Sequence, residues 1–223
     1  MTIQENLRKL QQEIPSQVKL VAVSKTKSVK EIKEAYDSGQ KVFGENKVQE
    51  LVTKQMELPQ DIEWHFIGHL QSNKVKQIAS FVQYIHSIDS LKLLAEVNKE
   101  AQKYERLINC LLQFHIASEE TKFGLDEEDA RSLLNSTELS EMRNIRIIGV
   151  MGMATFCTDT ETIRGEFRKL KQIFCSIKQE YFPDSSGFRE ISMGMSGDYR
   201  IAIEEGSTMV RIGSAVFGER TYS

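Results

Sequence analysis

Cysteine and proline are both scarce in this chain. Its 223 residues include three cysteines, Cys110, Cys157 and Cys175, at wide spacing and with no CxxC pair. This pattern excludes a disulfide framework and a cysteine-based zinc site, so we expect free thiols in a reducing compartment. Only three prolines occur, and no linker rich in Pro, Gly or Ser interrupts the sequence. We therefore expect one domain over residues 1–223.

The chain also lacks an excess of one charge and long apolar runs. Its 29 basic and 32 acidic residues leave a formal net charge of -3, and no block of Lys and Arg stands out. This argues against a nucleic-acid partner. The apolar runs are far shorter than a membrane span, and residues 1–14 are too polar for a signal peptide. No carboxylate pair or HxxxH spacing indicates a metal site. We expect a cytoplasmic monomer.

Apolar runs of strand length alternate with charged stretches of helical period. The runs predict eight strands, at 18–24, 41–44, 63–67, 82–88, 107–116, 145–151, 188–193 and 208–212. Between them the sequence predicts helices at 28–38, 46–57, 72–79, 90–104, 126–135, 160–180 and 198–205, and an extra amphipathic helix over 3–14 precedes the first strand. Strict alternation predicts parallel βαβ units. Eight of them favour an α/β fold with a closed (β/α)8 TIM barrel over the alternative, a doubly wound sheet.

Lys25 follows the first predicted strand, in the stretch VKLVAVSKTKS at 18–28. It shares its parity with Val21 and Val23, so its amine is expected at the rim of the barrel, on the face where TIM barrels carry their chemistry. An amine held against apolar neighbours is poorly solvated as a cation, so its pKa falls and it becomes a nucleophile toward an aldehyde. A solvated lysine at a strand end is the common alternative.

Two consecutive loops near the end of the chain contain glycine and serine. Ser196 and Gly197 follow the seventh predicted strand, and Gly213 and Ser214 follow the eighth. Ser196 is a plausible N-cap of the next helix. In TIM barrels the loops after strands seven and eight commonly bind phosphate. The two loops predict a phosphate site, although glycines after strands more often only form turns.

Arg211 lies in the eighth predicted strand, two residues before Gly213. It shares its parity with Met209, so its guanidinium is expected to point into the barrel mouth. A buried guanidinium needs a partner, and an ion pair with an acid such as Glu45 is the structural alternative. An amine, a phosphate site and an inward arginine together describe a site for pyridoxal 5'-phosphate (PLP).

At these positions the sequence resembles the pyridoxal phosphate homeostasis proteins, also called proline synthase co-transcribed homologues. The resemblance covers nearly the whole chain, in the motifs AVSKTKS (22–28), FGENKVQE (43–50), WHFIGHLQSNK (64–74), SIDS (87–90), KFGL (122–125), GVMGMATF (149–156) and SMGMSGDYRIAIEEGSTMVRIGSAVFGER (192–220). It implies a single PLP-binding barrel of the alanine racemase N-terminal domain type over residues 1–223.

The resemblance also implies roles for individual residues. Lys25 is expected to form a Schiff base with PLP, Arg211 to face the pyridine nitrogen, and Asn46 to lie beside the cofactor. The phosphate is expected at Ser196, Gly197, Gly213 and Ser214. Lys47 departs from the pattern, because many relatives have an aromatic residue there. His65 and His69 fall near a strand end and could touch the ring, but a satisfied core or loop histidine is the alternative, and neither is assigned to the site.

Two functions compete for such a site. A PLP-dependent amino acid racemase needs two bases on opposite faces of the substrate carbon, and Lys25 supplies one. In the racemases that this barrel resembles, the other base comes from a further domain, and we expect none in a chain that stops at Ser223. A protein that holds PLP reversibly, for vitamin B6 homeostasis and supply to apo-enzymes, fits an open site better. It would have no catalytic residue. A class I aldolase using Lys25 without PLP leaves Arg211 unexplained.

Overall fold

The structure is a closed barrel of eight parallel strands. The computed structural model describes residues 2–117 and 123–219, so Lys122 of KFGL and Arg220 of the last motif lie outside the described residues. The strands are β1 Lys19–Val23, β2 Val42–Glu45, β3 Glu63–Phe66, β4 Tyr84–Ile88, β5 Ile108–Gln113, β6 Ile145–Met151, β7 Glu190–Ser192 and β8 Met209–Ile212. Each pairs with the next, and β8 pairs with β1. The predicted (β/α)8 TIM barrel is confirmed, and the open sheet is wrong.

Helices cover the outside of the barrel. They are α1 Ile3–Glu13, α2 Val29–Asp37, α3 Val48–Glu57, α4 Leu91–Gln102, α5 Glu127–Leu134, α6 Thr137–Glu141, α7 Thr160–Tyr181, α8 Tyr199–Glu204 and α9 Ser214–Phe217, with a 3₁₀-helix at Ser72–Gln77. The extra N-terminal helix is confirmed as α1. The sequence did not predict α6 and α9, because five and four residues are too few to show a helical period. None of the helices in the described ranges is long and apolar enough to cross a membrane.

A capping box fixes the short connection between β1 and α2. The Ser28 hydroxyl accepts a hydrogen bond from the Glu31 backbone N–H at 3.2 Å, and the Glu31 carboxylate accepts one from the Ser28 N–H at 2.8 Å. These bonds satisfy backbone donors that a helix start leaves without partners. Thr26, with φ of 63°, donates its N–H to Glu50 at 2.9 Å. Lys25 therefore lies in a short loop that is held at both ends.

The apolar core lies mostly between the strands and the helices. Ala22, Val210 and Ile212 belong to this outer core, which follows from the alternation of side chains along a strand. Inside the barrel a smaller apolar group is formed by Leu111, Ile148, Met151 and Met209. Polar side chains fill other positions inside the barrel, below the face that carries the candidate site.

Gly194 lets the chain leave β7 close to α8. Its φ is +96°, and a Cβ there would lie 2.6 Å from the Ala202 Cβ. Gly39, between α2 and β2, has nearly the same backbone, with φ of +98°, but a Cβ there would meet nothing within 4 Å. A side chain at Gly39 would therefore cause backbone strain alone, whereas one at Gly194 would cause backbone strain and crowding.

We expect Gly39→Ala to lower the free energy of unfolding by about 1–2 kcal/mol through backbone strain. Gly194→Ala should lower it by about 1–3 kcal/mol more, because it also overpacks a buried contact. Urea unfolding followed by circular dichroism measures both. Equal losses would contradict the close approach of α8 to this loop.

Candidate functional site

The carboxyl ends of the strands open on one face, and the predicted site residues meet there. Lys25 follows β1, Asn46 follows β2, and the two Gly/Ser loops follow β7 and β8. Because β8 pairs with β1, Lys25 and the loop after β8 come from neighbouring strands. A Cβ at Gly213 would lie only 3.4 Å from the Val23 carbonyl oxygen. We refer to this face as the barrel mouth.

A buried ion pair supports the strand end from which Lys25 projects. Lys54 of α3 donates to Glu45 at 2.7 Å and to the Ser24 carbonyl oxygen at 2.8 Å. The Ser24 hydroxyl donates to the same Glu45 oxygen at 2.6 Å. Burial raises the pKa of Glu45, and the nearby Lys54 opposes that rise. These contacts fix the backbone before Lys25, which is itself half-buried.

Ser196 joins the two Gly/Ser loops. Its hydroxyl oxygen accepts hydrogen bonds from the backbone N–H groups of Gly213 at 3.2 Å and Ala215 at 3.4 Å. The prediction that Ser196 caps the next helix is wrong. Asp198 occupies the N-cap of α8, and its carboxylate turns back to accept from the Met195 N–H at 2.5 Å. Ser196 is left to bond across to the loop after β8.

The same loops hold backbone donors that are available to an anion. The N–H groups of Gly197 and Ser214 have no hydrogen-bond acceptor within the part of the chain that the structure describes. Both residues are exposed, and a Cβ at Gly197 would meet nothing within 4 Å. Clustered backbone N–H groups in turns form concavities that bind anions. The two loops are thus suited to a group with several oxygens.

The N-terminal helix ties both loops to the body of the barrel. The Asn6 side chain donates to the Val216 carbonyl oxygen in α9 at 3.0 Å. Glu13, near the end of α1, accepts from the Tyr199 hydroxyl and, at 2.8 Å, from Arg200. Both of the latter residues begin α8, so α1 contacts the helices that follow both loops.

Arg211 lies inside the barrel below the mouth and is 4% exposed. It donates to the Ser192 hydroxyl at 2.7 Å and to the Gly152 carbonyl oxygen at 3.0 Å. Burial lowers its pKa to about 10, so it remains a cation at neutral pH. The ion pair considered for it with Glu45 is wrong, because Glu45 pairs with Lys54, on a helix outside the barrel.

Two buried histidines lie in the interior beside the half-buried Glu63, and the sequence did not point to the three as a group. His65 and His86 are fully buried, with His65 Nδ1 2.8 Å from His86 Nε2. His65 Nε2 is 2.9 Å from Glu63. His65 is thus a satisfied core histidine, whereas His69 is exposed and stacks on Phe123 with ring centroids 4.1 Å apart. Strand parity, which the sequence analysis did not apply to β3 and β4, was the signal that could have placed these side chains inward, but not their contacts across the barrel.

Gly68, in the loop after β3, closes one side of the mouth. A Cβ there would lie 2.4 Å from the Asn46 carbonyl oxygen. Only glycine therefore permits this approach, which holds Asn46 at the rim. In the described ranges no group of His, Cys, Asp and Glu is arranged to hold a metal ion.

The barrel and its mouth define a class of protein. Residues 1–221 match the alanine racemase N-terminal domain. An alanine racemase of Clostridium difficile superposes with a TM-score of 0.75 at 13% identity, covering 100% of this chain and 57% of that chain. At this identity the likeness concerns the fold alone, and it confirms the predicted barrel type.

Two curated relatives share a name, and one relative of known structure binds PLP. A pyridoxal phosphate homeostasis protein of Aquifex aeolicus is 41% identical over 205 residues, covering 92% of this chain and 88% of that protein. One of Pasteurella multocida is 38% identical and covers 100% of both chains. PipY of Synechococcus elongatus, solved with PLP bound, has a TM-score of 0.88 at 35% identity and covers 97% of this chain and 100% of PipY. The chain belongs to the alanine racemase N-terminal domain family and, within it, to the pyridoxal phosphate homeostasis proteins.

Proposed function

We propose that this protein binds PLP at the barrel mouth and serves intracellular PLP homeostasis, without strong catalytic activity. The observation that carries the proposal is the position of a half-buried lysine after β1, next in the barrel to the loop after β8, which is in turn next to the loop after β7. An amine for the aldehyde and donors for the phosphate then stand on neighbouring strands. Residues 1–223 would form a single PLP-binding domain.

The residues at the mouth fit the parts of this cofactor. Lys25 would attach to the aldehyde carbon. Ser196 and Gly197 on one loop, with Gly213 and Ser214 on the other, would hold the phosphate. The Gly213 N–H bonds Ser196, so the main support for this assignment is the N–H groups of Gly197 and Ser214, which have no acceptor in the described ranges. Arg211 would face the pyridine nitrogen, and Asn46 would lie beside the ring. Bound PLP supplies an electron sink for amino-acid chemistry.

A carrier needs a site that exchanges its ligand. Gly197 and Ser214 are exposed, so the phosphate end would stay open to water. An amino acid racemase is the alternative, and the likeness to alanine racemases in fold alone gives it little support. The expected acceptors are apo-enzymes that use PLP. A cytoplasmic location and a monomeric state belong to the same proposal.

Lys25 should be the residue that carries the cofactor covalently. After loading with PLP and reduction with borohydride, peptide mapping should place the pyridoxyl group on Lys25. Lys25→Ala should lose the label and stay folded, because its side chain is only half-buried at the rim. Lys47→Ala removes an exposed amine after the next strand and serves as the control, with labelling unchanged. A label on Lys27, Lys47 or Lys74 would show that the assignment is wrong.

Gly197→Ala should weaken PLP at least about tenfold, roughly 1.4 kcal/mol, because the new methyl group takes the space through which phosphate approaches. Pyridoxal, which has no phosphate, should bind nearly as before. The fold should be unaffected, since a Cβ at this position meets nothing within 4 Å. Gly165→Ala, on the outer helix α7 and equally free of contacts, is the control. Equal weakening of both ligands would mean that the loop only shapes the fold.

The carrier and the racemase differ in turnover. Incubated with a panel of free L- and D-amino acids, the loaded protein should cause no racemisation, decarboxylation or transamination above the rate of PLP in solution. It should transfer PLP to an apo-enzyme, measured by the recovery of that enzyme's activity. Turnover of one amino acid at roughly 1 per second or more, a rate typical of enzymes, would overturn the carrier and favour the racemase.

A further inference from the structure

A line of hydrogen bonds crosses the inside of the barrel from the mouth toward its opposite end. The Arg211 guanidinium donates to the Ser192 hydroxyl oxygen at 2.7 Å, and that oxygen is 2.9 Å from His86 Nδ1. His86 Nε2 is 2.8 Å from His65 Nδ1, and His65 Nε2 is 2.9 Å from Glu63. We call these five residues the interior relay.

The two ends of the relay are charged and its middle is neutral. Burial lowers the pKa of both His65 and His86 below the usual value of 6.5, so neither is a cation at neutral pH. Burial alone would raise the pKa of Glu63, but hydrogen bonds from His65 and Lys19 lower it to about 2. The relay therefore has a guanidinium at one end and a carboxylate at the other.

The charges of Glu63 and Arg211 determine which nitrogen of each histidine carries the proton. A carboxylate only accepts, so His65 must donate to Glu63 from Nε2, and its Nδ1 is left as an acceptor. His86 must then donate from Nε2, which leaves its own Nδ1 to accept the Ser192 hydroxyl proton. A guanidinium only donates, so Ser192 accepts from Arg211 with its oxygen. Every bond in the relay points the same way, toward Glu63.

We propose that the interior relay positions Arg211, with His65 and His86 both neutral and both protonated at Nε2. The relay holds the guanidinium at the level of Gly152, whose carbonyl oxygen accepts its second bond. Because the Ser192 hydroxyl donates its hydrogen bond to His86 Nδ1, the serine oxygen can only accept from Arg211. That Arg211 faces the ring nitrogen of PLP is part of the proposed function, and the inference rests on it.

The proton positions can be read without the cofactor. In two-bond ¹H–¹⁵N correlation spectra of the unloaded protein, His65 and His86 should both show the pattern of a neutral ring protonated at Nε2. Ser192→Ala should leave the proton on His86 Nε2, because His65 Nδ1 still accepts it, but should shift the ¹⁵N signal of His86 Nδ1, which loses its hydrogen bond, and leave the signals of the exposed His69 unchanged. A proton on Nδ1 of either buried histidine, or a cationic ring at neutral pH, would overturn the proposal.

The effect on Arg211 is measured in the loaded protein. Ser192→Ala removes one of the two acceptors of the guanidinium, and the dissociation constant of PLP should rise about tenfold. Ser207→Ala is the matched control, because Ser207 is also buried but its hydroxyl bonds only backbone carbonyl oxygens of β7, β8 and the loop after β7. It should change the dissociation constant less than about twofold. If both variants raised the dissociation constant of PLP equally, the relay would have only a structural role.

The two measurements separate this inference from the proposed function. If PLP does not bind the wild-type protein, the function fails, and the spectra of the unloaded protein still decide the relay. If PLP binds and the histidines carry their protons elsewhere, the relay fails while the function stands.

Discussion

The pairing of β8 with β1 is the constraint on which the site depends. Four residue pairs in register, from Lys19 with Met209 to Ala22 with Ile212, close the sheet. In an open sheet with the strands in sequence order, the first and eighth strands would lie seven spacings of about 4.8 Å, or roughly 34 Å, apart. Closure instead makes Lys25 and the loop after β8 neighbours. The amine then lies beside a loop whose backbone donors are suited to an anion.

Closure also creates an interior that is walled off from the helices. The outer layer holds most of the apolar core, while the interior combines a small apolar group with the relay. Buried polar groups are tolerated when each has a partner. Inside this barrel the hydrogen bonds from Arg211 to Glu63 meet that condition, and the charge at each end is bonded. Most of the apolar core is therefore separate from the relay inside the barrel.

Local sequence patterns predicted most of the fold and part of the candidate site. Strand parity placed Lys25 at the rim and Arg211 inside, and glycine with serine after the last two strands marked the loops. Parity says which side of a strand a residue faces, but not which inward residues meet across the barrel. It therefore could not give Arg211 its serine partner or find His86. Ser196 was misread because both it and Asp198 are residues that commonly cap helices, and the backbone turn decides between them.

The direct partners of Arg211 bear on how binding and inertness could coexist in one site. A carboxylate beside the ring nitrogen of PLP would favour its protonation and strengthen the electron sink. Here the guanidinium bonds two neutral oxygens, those of Ser192 and Gly152. The acid whose charge acts on it is Asp198, which bonds the Met195 N–H, and Glu63 at the far end of the relay pairs with Lys19. The same barrel that holds the cofactor would then keep its nitrogen unprotonated, which suits storage and transfer more than carbanion chemistry.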